Sequence, residues 1–274
     1  MSESTAAALG RVLIVGAGNM GSAICSGLLG IEGMTRDAIC LADTSEEKRA
    51  KAEQTLGVST VADGVCGLPA RTIVLAVKPN IVLAVARELA EAGVEGSRVI
   101  SVAAGMSTAK LSACFPDTVP VVRVMPNTPL LVGQGMSAVC GGAHASEDDV
   151  ALVADVFSRM GKAVVLDEGK FDAVTALSGS GPAYFELVCE ALARGAEKQG
   201  LPYDVACELA VQTMRGTATL IEETGQSLPD AIAAVSSPGG TTVAALEAMR
   251  GKGVEEALDS GVEAATRRSR ELGA

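Results

Sequence analysis

Gly16-Ala17-Gly18-Asn19-Met20-Gly21 carries three glycines at the G-x-G-x-x-G spacing, directly after the apolar run Val12-Leu13-Ile14-Val15. Each glycine has its own task when such a loop opens a helix. The first makes the tight turn, the second lets the backbone approach a pyrophosphate, and the third lets the helix pack closely on its strand. The free N–H groups of the helix start then face the anion. A strand-like run before the loop and a helical pattern after it point to dinucleotide binding. A second run, Ile39-Cys40-Leu41-Ala42, ends on Asp43-Thr44-Ser45. A carboxylate at that place accepts from a ribose 2′-hydroxyl and repels a 2′-phosphate, which favours NADH. Thr44, Ser45, Lys48 and Arg49 would satisfy the 2′-phosphate of NADPH if Asp43 turned aside, so both cofactors stay open. Asp43 and Ser45 also suit the N-cap of a helix from Glu46.

Three further turns follow apolar runs: Ala76-Val77-Lys78-Pro79, Ala103-Ala104-Gly105, and Pro126-Asn127-Thr128-Pro129 after Arg123-Val124-Met125. Ligands of open α/β sheets sit outside the carboxyl ends of the strands, so these turns are expected to line the nicotinamide half of a cleft. Lys78 before Pro79 equally suits a solvated strand end. Near the other end of the chain, Ser237-Pro238-Gly239-Gly240-Thr241-Thr242 precedes a helical pattern running from Val243 through Met249. A rigid proline, two adaptable glycines and two threonines at a helix start form a nest of N–H and hydroxyl donors for a small carboxylate. The same residues also describe an ordinary threonine-capped helix.

The rest of the composition narrows the chemistry. With 33 acidic against 22 basic residues in 274, the net charge is −11, and only four Phe and two Tyr are present. That supplies neither the basic footprint nor the stacking rings of nucleic-acid binding, and it opposes docking on anionic lipid. One histidine, His144, leaves almost no material for a zinc site or a His-assisted nucleophile. The seven cysteines, at 25, 40, 66, 114, 140, 189 and 207, are odd in number, lack a C-x-x-C and sit mostly in apolar runs. They read as reduced core residues of a cytoplasmic protein. Met1 to Gly10 lacks a basic segment followed by an apolar core, so no secretory leader is expected, and no uncharged apolar stretch reaches eighteen residues.

The elements that must hold these turns alternate regularly through residues 1–166. Runs at 12–15, 39–42, 73–77, 99–102, 121–125 and 163–166 are continuously apolar, and helix-like segments lie near 20–29, 45–56 and 80–92. Strands buried on both faces read this way, so this part is expected to be a doubly wound, Rossmann-like α/β domain. From 167 to 274 the periodicity becomes helical. Tyr184, Leu187, Val188, Ala191, Leu192 and Gly195 recur at three- and four-residue intervals, as do Val205, Leu209, Met214 and Ala218. The small residues of Ala176-Leu177-Ser178-Gly179-Ser180-Gly181-Pro182 interrupt that pattern and permit a kink. An all-α half rich in Ala, Leu, Val and Gly buries little area alone, so pairing with a second copy is expected.

These motifs, in this order, resemble pyrroline-5-carboxylate reductases over about residues 11–270. The resemblance rests on Gly16–Gly21, Ala76–Pro79, Arg123–Pro129, Ala176–Tyr184 and Ser237–Thr242. It implies hydride transfer from NADH or NADPH to the C=N carbon of 1-pyrroline-5-carboxylate, giving L-proline, the last step of proline biosynthesis. It further implies a homodimer with interlocked helical domains, often assembled into a decamer. By the resemblance, Ser237 through Thr242 bind the substrate carboxylate, Thr242 hydrogen-bonds the ring nitrogen, and Ala103, Ala104, Gly105 and Asn127 hold the nicotinamide. Two stretches depart from it. Ala231-Ile232-Ala233 stands where relatives carry a Leu, a basic residue and an Asp, and Asp43 stands where NADPH-preferring relatives carry small polar or basic residues. A β-hydroxyacid dehydrogenase would place a catalytic lysine between Gly181 and Ala193, and none is there. A non-catalytic NAD(P)-binding redox sensor is separated from the reductase by activity alone.

Overall fold

The computed structural model describes residues 4–273. Eight strands form one sheet: β1 (Val12–Val15), β2 (Ile39–Ala42), β3 (Ser59–Val61), β4 (Thr72–Leu75), β5 (Arg98–Ser101), β6 (Val121–Met125), β7 (Gly135–Gly141) and β8 (Gly161–Val165). Their order is β3-β2-β1-β4-β5-β6-β7-β8. All neighbours are parallel except β6 and β7. The order reverses between β1 and β4, the switch point at which a doubly wound sheet opens a ligand crevice.

Helices cover both faces: α1 (Thr5–Leu9), α2 (Asn19–Leu29), α3 (Glu46–Leu56), α4 (Pro79–Ala92), α5 (Thr108–Ser112) and α6 (Glu147–Ser158). Alternate residues of β1 enter opposite cores. Val12 and Ile14 pack with Ile24 and Leu28 of α2 and with Val153 and Phe157 of α6. Leu13 and Val15 pack with Val82, Ala86 and Leu89 of α4. Two-sided burial is why the central strands are apolar throughout.

After β8 the chain becomes helical: α7 (Phe171–Val174), α8 (Gly181–Glu197), α9 (Tyr203–Thr224), α10 (Leu228–Ala234), α11 (Thr241–Arg250) and α12 (Val254–Gly273). Between α7 and α8, Thr175–Gly179 winds as one π-helical turn, and the Ser180 N–H donates five residues back to the Thr175 carbonyl at 2.8 Å. Gly179 packs closely here: a Cβ would lie 2.5 Å from the Met125 methyl carbon, the mobile end of a flexible side chain. This is the form taken by the small-residue interruption.

The chain forms two compact units. One runs to Ser180 and takes in the chain again from Ala265, and the other runs from Gly181 to Ala264. The second unit is little buried. Phe185, Leu187 and Leu192 on α8 and Leu209 and Val211 on α9 are more than half exposed.

Candidate active site

In the sheet unit, the site is built where β1 turns into α2. Gly16 has φ +112°, a conformation side chains rarely adopt, and a Cβ there would meet the Ala76 carbonyl oxygen at 2.5 Å. Gly21 is tighter still, with a Cβ only 1.8 Å from the Gly16 carbonyl oxygen. Both glycines are therefore demanded by packing. Gly18 is not. It is the N-cap of α2 in extended backbone (φ −74°, ψ −175°), and a Cβ there would meet nothing within 4 Å. No side chain caps the helix, so the N–H groups of Asn19, Met20 and Gly21 are open to an anion beside Gly18.

Beside this loop lies a cleft of about 430 Å³ lined by Gly16, Gly18, Asp43, Thr44, Ala76, Val77 and Lys78. Sequence reasoning missed Ala62 to Val65, Ile81, Val85, Glu88 and Leu89, which also line it. An Asp-Gly pair after a strand was the available signal, but β3 is three residues long and carries no apolar run. Ala17, Asn19, Met20, Gly21, Ser45 and Pro79 flank the cleft through backbone and packing. Pro79 is the first residue of α4 and Lys78 its N-cap, so this pair starts a helix after the strand.

Asp43 is the most constrained group in the cleft. Its Oδ2 accepts from the Ala17 N–H at 2.9 Å and its Oδ1 from the Ser45 N–H at 2.9 Å. The Lys48 ammonium lies 3.3 Å from Oδ2. Burial alone would push this carboxyl up, yet the two N–H donors and Lys48 outweigh it and hold it below its ordinary 3.8. Ser45 caps α3 by accepting from the Lys48 N–H.

The expected nicotinamide residues sit apart from this cleft's lining. Ala103 is buried in the core beneath α4. Gly105, at φ +72°, packs on the end of α12, where a Cβ would lie 3.2 Å from the Leu272 Cβ. The Asn127 amide donates to the Ser178 carbonyl at 3.1 Å and accepts from the Met136 N–H at 2.9 Å, tying the π-helical turn to the start of β7. A half-buried ion pair supports the same end of the sheet. Glu168 accepts from the Thr108 N–H and hydroxyl, both at 2.7 Å, and from Arg123 at 2.9 Å. Burial pushes Glu168 up, but these donors together bring it below its ordinary 4.5. Cys140 nearby is pushed up to about 12, by burial and then by the Glu168 charge, and is inert as a nucleophile.

In the helical unit, Ser237–Gly240 closes as a turn, with the Gly240 N–H donating to the Ser237 carbonyl at 2.9 Å and Gly239 at φ +71°. Proline second and a positive-φ glycine third are the residues such a turn demands. Gly240 then caps α11 without a side chain, leaving the N–H groups of Thr241, Thr242 and Val243 free of intrahelical partners. The hydroxyls of Thr219 and Thr224 are spent on carbonyls four residues back. Thr242, in the first turn, has no such helical carbonyl, and its hydroxyl has no partner among the described residues.

Over 266 residues the chain is 38% identical to a pyrroline-5-carboxylate reductase of Corynebacterium melassecola, covering 96% of this chain and 98% of that one. The chain belongs to the pyrroline-5-carboxylate reductase family. Residues 168–272 match the model for pyrroline-5-carboxylate reductase dimerisation, and residues 11–105 match the model for NADP oxidoreductase, coenzyme F420-dependent. A solved pyrroline-5-carboxylate reductase from Coxiella burnetii is similar with a TM-score of 0.89 at 33% identity, covering 97% of this chain and 99% of that one. A pyrroline carboxylate reductase from Plasmodium falciparum with NADP bound has a TM-score of 0.86 at 26% identity, with the same coverage of both chains. The open cradle at Gly18 and the uncapped start of α2 fit the pyrophosphate of such a dinucleotide. Among the described residues no helix is long and apolar enough to cross a membrane, and no group of three or more potential ligand side chains could hold a metal.

Proposed function

We propose that this chain reduces 1-pyrroline-5-carboxylate to L-proline with NAD(P)H, the last step of proline biosynthesis. The observation that carries the reading is a family relationship unbroken over 96% of the chain, so that the glycine loop and the Ser237–Thr242 turn belong to one enzyme. The cofactor, when bound, supplies a hydride for the C=N carbon. A protonated cyclic imine is already electrophilic, so what the protein must provide is placement and charge complementarity. Gly18 and the start of α2 hold the pyrophosphate, and Ala103, Ala104, Gly105 and Asn127 lie on the segments assigned to the nicotinamide. The N–H groups of Thr241, Thr242 and Val243 hold the substrate carboxylate. The Thr242 hydroxyl stands at the ring nitrogen, which keeps its proton as the double bond becomes the secondary amine of proline. No imidazole is needed, in keeping with a chain that has one histidine, paired with Asp117 at 3.2 Å.

The exposed apolar faces of α8 and α9 support a homodimer as the active unit, with the decamer implied by the resemblance as the larger assembly. The acidic charge and the free state of all seven cysteines support a cytoplasmic enzyme that binds neither nucleic acid nor membrane. The test is oxidation of NADH or NADPH by the purified protein. Oxidation that depends on added pyrroline-5-carboxylate and yields L-proline is the expected result. A folded dimer that oxidises neither cofactor with that substrate would sink the reading.

A further inference from the structure

We infer that the cofactor cleft selects NADH over NADPH and that Asp43 sets the choice. The inference rests on the reductase reading above and adds to it the identity of the preferred cofactor.

Asp43 stands at the carboxyl end of β2, next to the glycine loop, and its side chain is 10% exposed. Two backbone N–H groups from two different segments hold its two oxygens, Ala17 on one and Ser45 on the other. Turning the carboxylate aside to admit a 2′-phosphate would leave both N–H groups without partners in a half-buried place, a cost comparable to two lost charge-assisted bonds. Oδ2 accepts from both the Ala17 N–H and the Lys48 ammonium, but Oδ1, bonded to the Ser45 N–H alone, keeps a second lone pair, so Asp43 as it stands can accept from a ribose 2′-hydroxyl.

The basic residues that could have answered a 2′-phosphate are engaged by Asp43 itself. The Lys48 ammonium pairs with Oδ2, and the Arg49 guanidinium donates to the Asp43 carbonyl oxygen at 2.7 Å. Arg49 is absent from the lining of the cleft, which has three carboxylates, Asp43, Asp63 and Glu88, against the two ammonium groups of Lys48 and Lys78. Asp63, at the end of the adjacent strand β3, is also held ionised, its Oδ1 accepting from the Cys66 N–H at 2.9 Å. A phosphate monoester bringing about −1.5 to −2 charges therefore enters a negative field beside a carboxylate that cannot retreat. A hydroxyl enters the same place as a hydrogen-bond donor.

The test measures dissociation constants of NADH and NADPH by calorimetry on the intact protein without substrate, and kcat/KM for each cofactor with pyrroline-5-carboxylate. The wild type is expected to bind NADH at least tenfold more tightly and to show the same order in kcat/KM. Asp43→Asn, which keeps the outline and removes the charge, is expected to reduce the NADH:NADPH ratio at least tenfold, chiefly by improving NADPH binding. Asp43→Ser serves as a second variant, and melting curves report whether each is folded. Equal or tighter binding of NADPH by the wild type overturns the inference, whatever the variants do. A folded Asp43→Asn with an unchanged ratio removes Asp43 as the determinant. Tight NADH binding without pyrroline-5-carboxylate turnover would instead refute the reductase reading and leave the cofactor inference standing.

Discussion

Gly18→Ser separates a glycine kept for a ligand from one kept for packing. At Gly18 the backbone is extended, a conformation open to any residue, and an added Cβ has no neighbour within 4 Å. Serine is moreover a better N-cap than glycine by a few tenths of a kcal/mol, because its hydroxyl accepts an N–H of the first turn. The fold should thus be unchanged or slightly more stable, with a melting temperature up by about 1 °C for a chain of this size. The same hydroxyl consumes one of the N–H groups that the pyrophosphate needs and fills part of the cradle. A hydrogen bond to a charged group is worth about 1.5–3 kcal/mol, so cofactor affinity should fall roughly 10- to 150-fold. Gly21→Ala is the control. Its Cβ would sit 1.8 Å from the Gly16 carbonyl oxygen, where about 3 Å is needed, so α2 must retreat by roughly 1 Å. Overpacking of about 1–3 kcal/mol exceeds the gain of about 1 kcal/mol from replacing a helical glycine, and here stability and binding fall together. Calorimetry with NADH and a thermal melt of each variant decide the matter. A Gly18→Ser protein that melts several degrees lower, or binds cofactor as the wild type does, would refute the assignment of Gly18 to the ligand.

Thr242→Ala should lower kcat/KM by about 10- to 1000-fold, the range of one aimed donor, with the melting temperature unchanged because no group among the described residues uses that hydroxyl; a normal rate would take Thr242 out of the mechanism. Glu168→Gln leaves Arg123, 6% exposed, short of its counter-charge, and with Glu168 itself 30% exposed the discounted loss is about 1–3 kcal/mol, roughly 3–10 °C in a melt. Glu168 is held below its ordinary value by the donors described above, and Asp149, at the start of α6, is held below its own, against burial, by Ser146 and by Arg98 at 2.6 Å, so their contribution to stability is complete above those values and disappears as pH falls through the lower folded ones. Wild-type melts should therefore stay level from neutral pH down to about pH 5 and drop below it, with a shallower drop in Glu168→Gln; a parallel fall in the two proteins would contradict this. Phe185→Glu, on the exposed face of α8, should convert dimer to monomer by sedimentation velocity and abolish turnover; an active monomer would show that pairing is dispensable.

The central sheet was legible because two-sided burial writes an unmistakable apolar run into β1, β2, β4, β5 and β6. Two strands escaped for opposite reasons. β3 lies at the sheet edge, half exposed, so Ser59-Thr60-Val61 has no reason to be apolar. β7 is buried but built of Gly135, Ser137, Ala138 and Cys140, whose small side chains fit close neighbours and carry little hydrophobic signal. α6 did leave a mark that went unread: Ser146 and Asp149 form a reciprocal capping box at its start. The Glu168–Thr108–Arg123 cluster left none, since its members are 60 and 45 positions apart and meet only through the fold. Of the residues that line the cleft, Gly16 and Gly18 could be read from their spacing. Whether Asp43 faces the cleft or turns from it could not, because that depends on the Ala17 N–H, 26 positions away.

The last turns of α12 return to the sheet unit. Ser269 donates to Asp172 at 2.7 Å, and Lys110 donates to the Gly273 carbonyl at 2.6 Å. In chain connectivity the helical unit is thus an insertion, leaving the sheet unit after Ser180 and rejoining it at Ala265. Two tethers have consequences that one would not. A protease cut in the helical unit leaves each fragment attached to part of the sheet unit, so nicked protein should hold together until denatured. Conversely, a cofactor domain expressed as residues 1–166 alone would lack the last turn of α12 that packs on Gly105, and would open to solvent a turn that is buried in the whole chain.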